Sequence, residues 1–198
     1  MLEWLKNINK EHPEFWKNYV SKFEEKSSRY VILSTESSGS NPEKDVLLSI
    51  AAFSVVEDSI YIGDSFEAVL LQYQFYHDNH LADEFLLENK NLKLSEPEAI
   101  QSFINFVGNS VLVGHHINSH VEMINHALDR LDCGRLRNEA LDIDVMHCKL
   151  NDINDKEFSL DELSTFYHIP INEKNSAAEN AYRTALLFLK LKSRLGIK

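Results

Sequence analysis

The stretch VILSTESSGS, residues 31–40, begins as an apolar run and changes abruptly into small polar residues. The run from Tyr30 to Leu33 predicts a short buried strand, because β-branched and aromatic residues favour extended backbone. A single carboxylate, Glu36, lies among the hydroxyl side chains that follow. Ligands of α/β proteins bind beside the carboxyl ends of strands, so this stretch predicts a functional edge of a sheet.

The rest of the chain changes its hydrophobic period. Two apolar strands, over 46–56 and 59–66, are separated by the tight turn Glu57-Asp58, which predicts a three-stranded antiparallel meander. Residues 67–92 have a mixed pattern that we expect to be helical in part. Beyond them the pattern predicts strands at 110–114 and 141–145, and helices at 95–108, 118–131, from 159 and at 176–194.

This order predicts an α/β fold with a mixed five-stranded sheet and helices on both faces. Residues 1–28 form a separate helical extension by their spacing, with Pro13 between two short helices, and residues 29–198 form the main domain. We expect the extension to dock on its own core. The alternative is that its Trp and Phe side chains anchor a protein partner or a second copy, an assembly role.

Composition limits the range of functions. Of the 198 residues 43% are hydrophobic, and no segment approaches the roughly 20 apolar residues of a membrane span. The first residues lack an apolar signal core, and Cys133 and Cys148 form no metal-ligand pattern, so we expect reduced thiols in a cytoplasmic protein. The net charge of −11 favours a protein or small ligand over a long nucleic acid.

Five stretches, in order, resemble the motifs of the DnaQ-like 3′–5′ exonucleases, the DEDD group of the ribonuclease H-like fold. The resemblance covers about residues 29–195. The family's D-T-E-T-T-G, G-H-N-x-x-F-D, I-D-T, S-L-D-x-L and H-x-A-x-x-D-A motifs are matched by STESSG (34–39), GHHINSH (114–120), LDID (141–144), SLDEL (159–163) and NSAAENA (175–181).

The resemblance implies a site in which four carboxylates hold two Mg²⁺ or Mn²⁺ ions and a histidine acts as general base. In this chain the four acid positions fall on Ser34, Glu36, His120 and Asn180, and the base falls on Asn175. Only Glu36 is retained. By the same resemblance, three neighbouring side chains are expected to contact substrate: Thr35, Ser37 and His116.

Serine and asparagine are poor magnesium ligands, and an asparagine side chain has no basic nitrogen. We therefore expect no cofactor, and two Mg²⁺ or Mn²⁺ ions only if the protein is active. Glu36 and His120 are the candidate ligands for a single zinc or manganese ion, since His116 and His120 stand four residues apart. The favoured interpretation of these two histidines is an ordinary pair at a helix start.

Three functions follow. The first is a DNA polymerase III epsilon-like exonuclease domain that has lost catalysis and binds single-stranded nucleic acid, a nucleotide or a protein. The second is an active metal-dependent 3′–5′ exonuclease with an unusual metal site. The third is assembly through residues 1–28. We expect no membrane association.

Overall fold

The computed structural model describes residues 12–71, 93–172 and 176–197. Its centre is a six-stranded mixed sheet in the order β4-β3-β2-β1-β5-β6. The strands are β1 (Tyr30–Ser37), β2 (Leu47–Val56), β3 (Ser59–Leu70), β4 (Lys93–Leu94), β5 (Val111–Gly114) and β6 (Ala140–Asp142). The helices are α1 (Glu14–Ser21), continued by a 3₁₀ turn (Lys22–Glu24), α2 (Glu96–Val107), α3 (Ile117–Arg130), α4 (Ile143–Leu150), α5 (Leu160–Phe166) and α6 (Ala177–Leu195).

Strand β1 is the central strand of this sheet. It pairs antiparallel with β2 and parallel with β5. Its side chains alternate between two apolar clusters: Val31 and Leu33 belong to one, with α1, α2 and α3, and Ile32 belongs to the other, with α4, α5 and α6. A strand covered on both faces must be apolar at successive positions, which is why the run before Ser34 contains no polar residue.

The predicted mixed sheet with helices on both faces is confirmed, but the strand count and several boundaries were wrong. The sixth strand, β4, pairs through only Val69 and Leu70 of β3 and is too short to give a pattern. We expected the mixed segment to begin at residue 67, but strand β3 continues to Leu70. Residues 72–92, the remainder of that segment, lie outside the described residues.

The predicted strand over 141–145 ends at Asp142. The carboxylate of Asp142 accepts the backbone N–H of Asp144 at 2.9 Å and so caps α4, a helix that the periodicity did not reveal. Strand β1 in turn runs past Leu33 to Ser37, since its polar residues continue to pair with β2. Capping boxes at Ser95 and Ser159 begin α2 and α5, near the predicted helix starts.

Helix α1 docks on the main domain, as expected for residues 1–28, of which residues 1–11 lie outside the described ranges. Trp16 and Tyr19 are buried in the cluster beneath α2 and α3. The Tyr19 hydroxyl donates to Asn138 Oδ1 at 2.7 Å and accepts the Arg137 N–H at 2.8 Å. Burial raises the pKa of Tyr19 to about 12. Helix α1 is therefore part of the core.

The carboxyl ends of the parallel strands β1, β5 and β6 lie together at one edge of the sheet. Gly114 ends β5 there, and a Cβ at this position would come within 2.7 Å of Ile117 Cδ1 and 3.1 Å of the Leu33 carbonyl oxygen. A glycine thus allows α3 to start directly above β1. No helix within the described ranges combines the length and the apolar character needed to cross a membrane.

The docking of α1 can be tested with Tyr19→Phe, which keeps the ring and removes the hydroxyl. The Arg137 N–H then loses its partner, so we expect the free energy of unfolding in urea to fall by about 1–3 kcal/mol. Tyr61→Phe is the matched control, because the side chain of Tyr61 is 50% exposed. An equal loss in both variants would contradict the buried role of the Tyr19 hydroxyl.

Candidate functional site

A cleft of about 490 Å³ opens at the carboxyl edge of β1 and β5. It brings together five of the residues predicted from sequence: Ser34, Thr35, His116, His120 and Asn180. Strand β1 supplies the first two, the start of α3 supplies the histidines, and the first turn of α6 supplies Asn180. The residue predicted at the position of the general base, Asn175, lies outside the described residues.

His120 links α3 to the end of β1. Its Nδ1 lies 3.2 Å from the backbone nitrogen of Thr35 and 2.8 Å from Thr35 Oγ1. A backbone N–H can only donate, so Nδ1 is the acceptor and the proton of the neutral ring lies on Nε2. Burial, together with a smaller effect of the neighbouring His115, lowers the pKa of His120 to about 4. His120 is therefore neutral near pH 7 and its Nδ1 is already used.

Glu36 does not line the cleft. Its Oε2 accepts a 2.6 Å hydrogen bond from Ser49 on β2, and its carboxylate also accepts the backbone N–H of Ala177 at the start of α6. Burial raises the pKa of Glu36, and repulsion from Glu67 adds to this. The retained acid thus joins two strands to a helix terminus whose N–H groups need an acceptor.

Ser37 also turns away from the cleft. Its hydroxyl donates to the carbonyl of Gly39 at 2.6 Å and stabilises the turn that follows β1. The register of β1 on β2 shifts between Glu36 and Ser37, so Ser37 lies beyond the regular part of the strand.

His115 and His116 stack at the mouth of the cleft, with ring centroids 4.1 Å apart. His115 Nε2 lies 2.7 Å from the Phe158 carbonyl oxygen, to which it donates. His116 precedes α3 with a φ of 50° and is not part of the helix. Its Nε2 is 4.0 Å from Asp144 Oδ2. The spacing of four residues therefore does not place His116 and His120 on one helical face.

Two acids of the LDID motif serve the loops around the cleft. Asp142 accepts the N–H groups of Ile117 and Asp144, which start α3 and α4. Asp144 is buried and accepts the Phe158 N–H at 3.2 Å. Both line a second cavity of about 890 Å³ that shares His116 and Ser119 with the first.

Sequence reasoning missed an ion pair beside the cleft. Asp161 of α5 lines the cleft and is hydrogen-bonded to Arg183 of α6, which also donates to Ser164 at 3.0 Å. Arg183 is 1% exposed. Asp161 was visible in the SLDEL motif, but an arginine on an apolar helix face gives no signal of its partner on another helix.

The metal pair that the resemblance implies does not fit this donor set. The cleft presents a hydroxyl, a neutral imidazole and an amide at the matched positions, while Mg²⁺ prefers anionic oxygen ligands. Glu36 is engaged with Ser49 and Ala177, and His120 with Thr35. Over residues 12–71, 93–172 and 176–197, no three His, Cys, Asp or Glu side chains are grouped so that they could hold a metal ion.

The linkage of His120 to stability can be measured. The folded-state pKa of His120 is about 4 and its ordinary value is 6.5. Between these two pH values His120 is protonated in the unfolded chain and neutral in the folded chain. This contribution to stability is complete above pH 6.5 and is lost as the pH falls towards 4. We expect the stability difference between wild type and His120→Asn to shrink by roughly 3 kcal/mol from about pH 7 to about pH 4.

Urea unfolding at a series of pH values checks this difference. His126→Asn, a substitution of another histidine on α3, is the control and should leave the wild-type pH slope in place. Parallel pH profiles for wild type and His120→Asn would contradict a buried neutral imidazole.

Comparisons with known proteins bear on the fold of the chain. No protein-family model matches the chain. It is 21% identical over 175 residues to DNA polymerase III PolC-type of Staphylococcus saprophyticus, which covers 86% of this chain and 12% of the polymerase. The Staphylococcus aureus polymerase is 22% identical over 171 residues, with 84% and 11% covered. The chain therefore spans a small part of these relatives.

Solved structures share the fold. Escherichia coli Exonuclease I in complex with a dT13 oligonucleotide has a TM-score of 0.68 at 16% identity, covering 86% of this chain and 42% of that chain. The zinc-bound form of the Exonuclease I complex with single-stranded DNA has a TM-score of 0.67 at the same identity and coverage. The chain is therefore similar in sequence to part of DNA polymerase III PolC-type and shares its fold with Exonuclease I.

Proposed function

We propose that this protein binds the end of a single-stranded nucleic acid in the cleft of about 490 Å³ and does not hydrolyse it. The proposal assigns a binding role to an exonuclease fold. The observation that carries it is the neutral His120, whose Nδ1 accepts hydrogen bonds from Thr35 at a position matched to a metal-binding carboxylate.

Hydrolysis by two metal ions requires enough anionic oxygens to hold two dications close together. Ser34 and Asn180 add no charge, and the one retained acid, Glu36, faces Ser49 and Ala177. Recruiting His120 as a ligand would break its bonds to Thr35. The donor set therefore favours binding over turnover.

The ligand class follows from the fold and from the solved complexes. Exonuclease I is described with dT13 and with single-stranded DNA. We carry this ligand over to the present chain as a proposal, limited to a strand end because a net charge of −11 repels a long polyanion. Cytoplasmic location remains part of the proposal, in keeping with the expectation of reduced thiols.

The test uses the purified full chain with 3′-end-intact, 5′-fluorescein-labelled single-stranded DNA and RNA. Gel analysis with Mg²⁺, Mn²⁺ or Zn²⁺ should show no shortening, while fluorescence anisotropy at low salt should show saturable binding. Metal-dependent trimming that disappears in Glu36→Ala would overturn the proposal and establish the active-exonuclease alternative. Absence of binding to both DNA and RNA would overturn the assigned ligand.

A restored variant gives a complementary measurement. Ser34→Asp, His120→Asp, Asn180→Asp and Asn175→His together return the family's acids and base to the matched positions. We expect Mg²⁺- or Mn²⁺-dependent 3′ trimming to appear in this variant, provided that circular dichroism shows a folded protein. Adding Glu36→Gln to it should abolish the trimming. A folded variant without activity would show that the matched positions do not form the site.

A further inference from the structure

Four polar side chains in the cleft make no hydrogen bond within the described part of the chain. They are Ser34, Ser119, Asn180 and Thr184, and all of them line the cleft. Ser34 is 5% exposed and Thr184 is 2% exposed. The small exposed part of each residue lines the cleft, so their hydroxyl groups are available to a polar ligand there.

These groups differ from the other polar residues of the same edge. Thr35, Ser37 and Glu36 are each engaged with protein partners. The unengaged groups come from three separate elements: β1, α3 and α6. The arrangement is therefore a convergence of elements on one cavity and does not depend on a single helix terminus.

The charge of the cleft is close to neutral. Asp161 is a carboxylate in its lining, and the buried Arg183 is its ion-pair partner. Burial keeps the imidazole of His120 uncharged, and the ring also hydrogen-bonds the backbone of His115. An anion that enters this cleft meets hydroxyl, amide and imidazole groups without the repulsion of an uncompensated carboxylate.

We propose that the cleft holds a phosphate group of the bound strand directly, through Ser34, Ser119, Asn180 and Thr184, with no divalent cation between protein and phosphate. This inference rests on the proposed function, which supplies the nucleic-acid ligand. Hydroxyl and amide side chains are regular donors to phosphate oxygens, and hydrogen bonds to a charged acceptor are stronger than those between neutral groups.

The second cavity is acidic and is therefore a poor site for a phosphate group. Among the described residues, four acids line it, Asp142, Asp144, Asp155 and Glu157, and Lys156 is the one lysine or arginine in that lining. Phosphates placed there would face unfavourable charge. The phosphate is thus assigned to the first cavity alone, in agreement with a ligand that enters by its end.

The experiment measures anisotropy of labelled single strands, with either a 3′-phosphate or a 3′-hydroxyl, in EDTA and in Mg²⁺. We expect wild type to bind equally well in both buffers. Ser34→Ala/Asn180→Ala should weaken binding by about tenfold or more, from the loss of two bonds to a charged group. Ser65→Ala is the control, because the Ser65 hydroxyl donates to the Ile62 carbonyl on exposed β3 and should leave binding unchanged.

Ser34→Asp tests the site by adding a negative charge instead of removing a hydrogen-bond donor. Its carboxylate should abolish binding in EDTA, and Mg²⁺ should restore part of it. Comparing the oligonucleotides with a 3′-phosphate and a 3′-hydroxyl identifies the bound phosphate. Tighter binding of the 3′-phosphate oligonucleotide indicates that the cleft holds a terminal phosphomonoester, and equal binding indicates an internal phosphodiester.

Wild-type binding that requires Mg²⁺ would overturn this inference and leave the proposed binding role intact. So would full affinity in a folded Ser34→Ala/Asn180→Ala variant. No binding of either strand in either buffer would overturn the inference and the proposed function together.

Discussion

The hydrogen bonds between Thr35 and His120 close the carboxyl edge of the sheet, and the rest of the cleft depends on them. They tie the end of β1 to α3 without any ion. Because the imidazole is neutral, this link carries no charge that a metal would have to compensate. Ser34 and Asn180 both line the cavity beside this link.

The carboxylate of Glu36 is likewise held by hydrogen bonds within the protein. A partly buried carboxylate is costly unless hydrogen-bond donors satisfy it. Ser49 and the first N–H of α6 provide those donors, although burial and Glu67 still raise its pKa. The single retained acid is thus held by groups of the fold, and its oxygens stabilise the junction of β1, β2 and α6.

The sequence predicted the parts of the fold that have a strong period or a cap. The buried run before Ser34, the meander and the capped helix at Ser95 lie where expected. The sequence did not predict α4, because its pattern continues the strand past Asp142. The hydrogen bond from the Asp144 N–H to Asp142, which starts the helix, is visible only in the structure. The grouping of Ser34, His120 and Asn180 followed from the family motifs. The Asp161–Arg183 pair and the turning away of Glu36 depend on contacts between distant elements, which no local pattern encodes.

The substitutions at the matched positions make physical sense only as a set. Carboxylates gathered at one strand edge repel each other strongly unless cations lie between them, so a partial loss would leave uncompensated charge. Replacing one acid by histidine and two by neutral hydrogen-bonding residues removes that repulsion. The cost of the remaining acid is offset by Ser49 and Ala177. In the binding role that we propose, such a cleft needs no divalent ion, and its hydroxyl and amide groups donate to an anionic ligand.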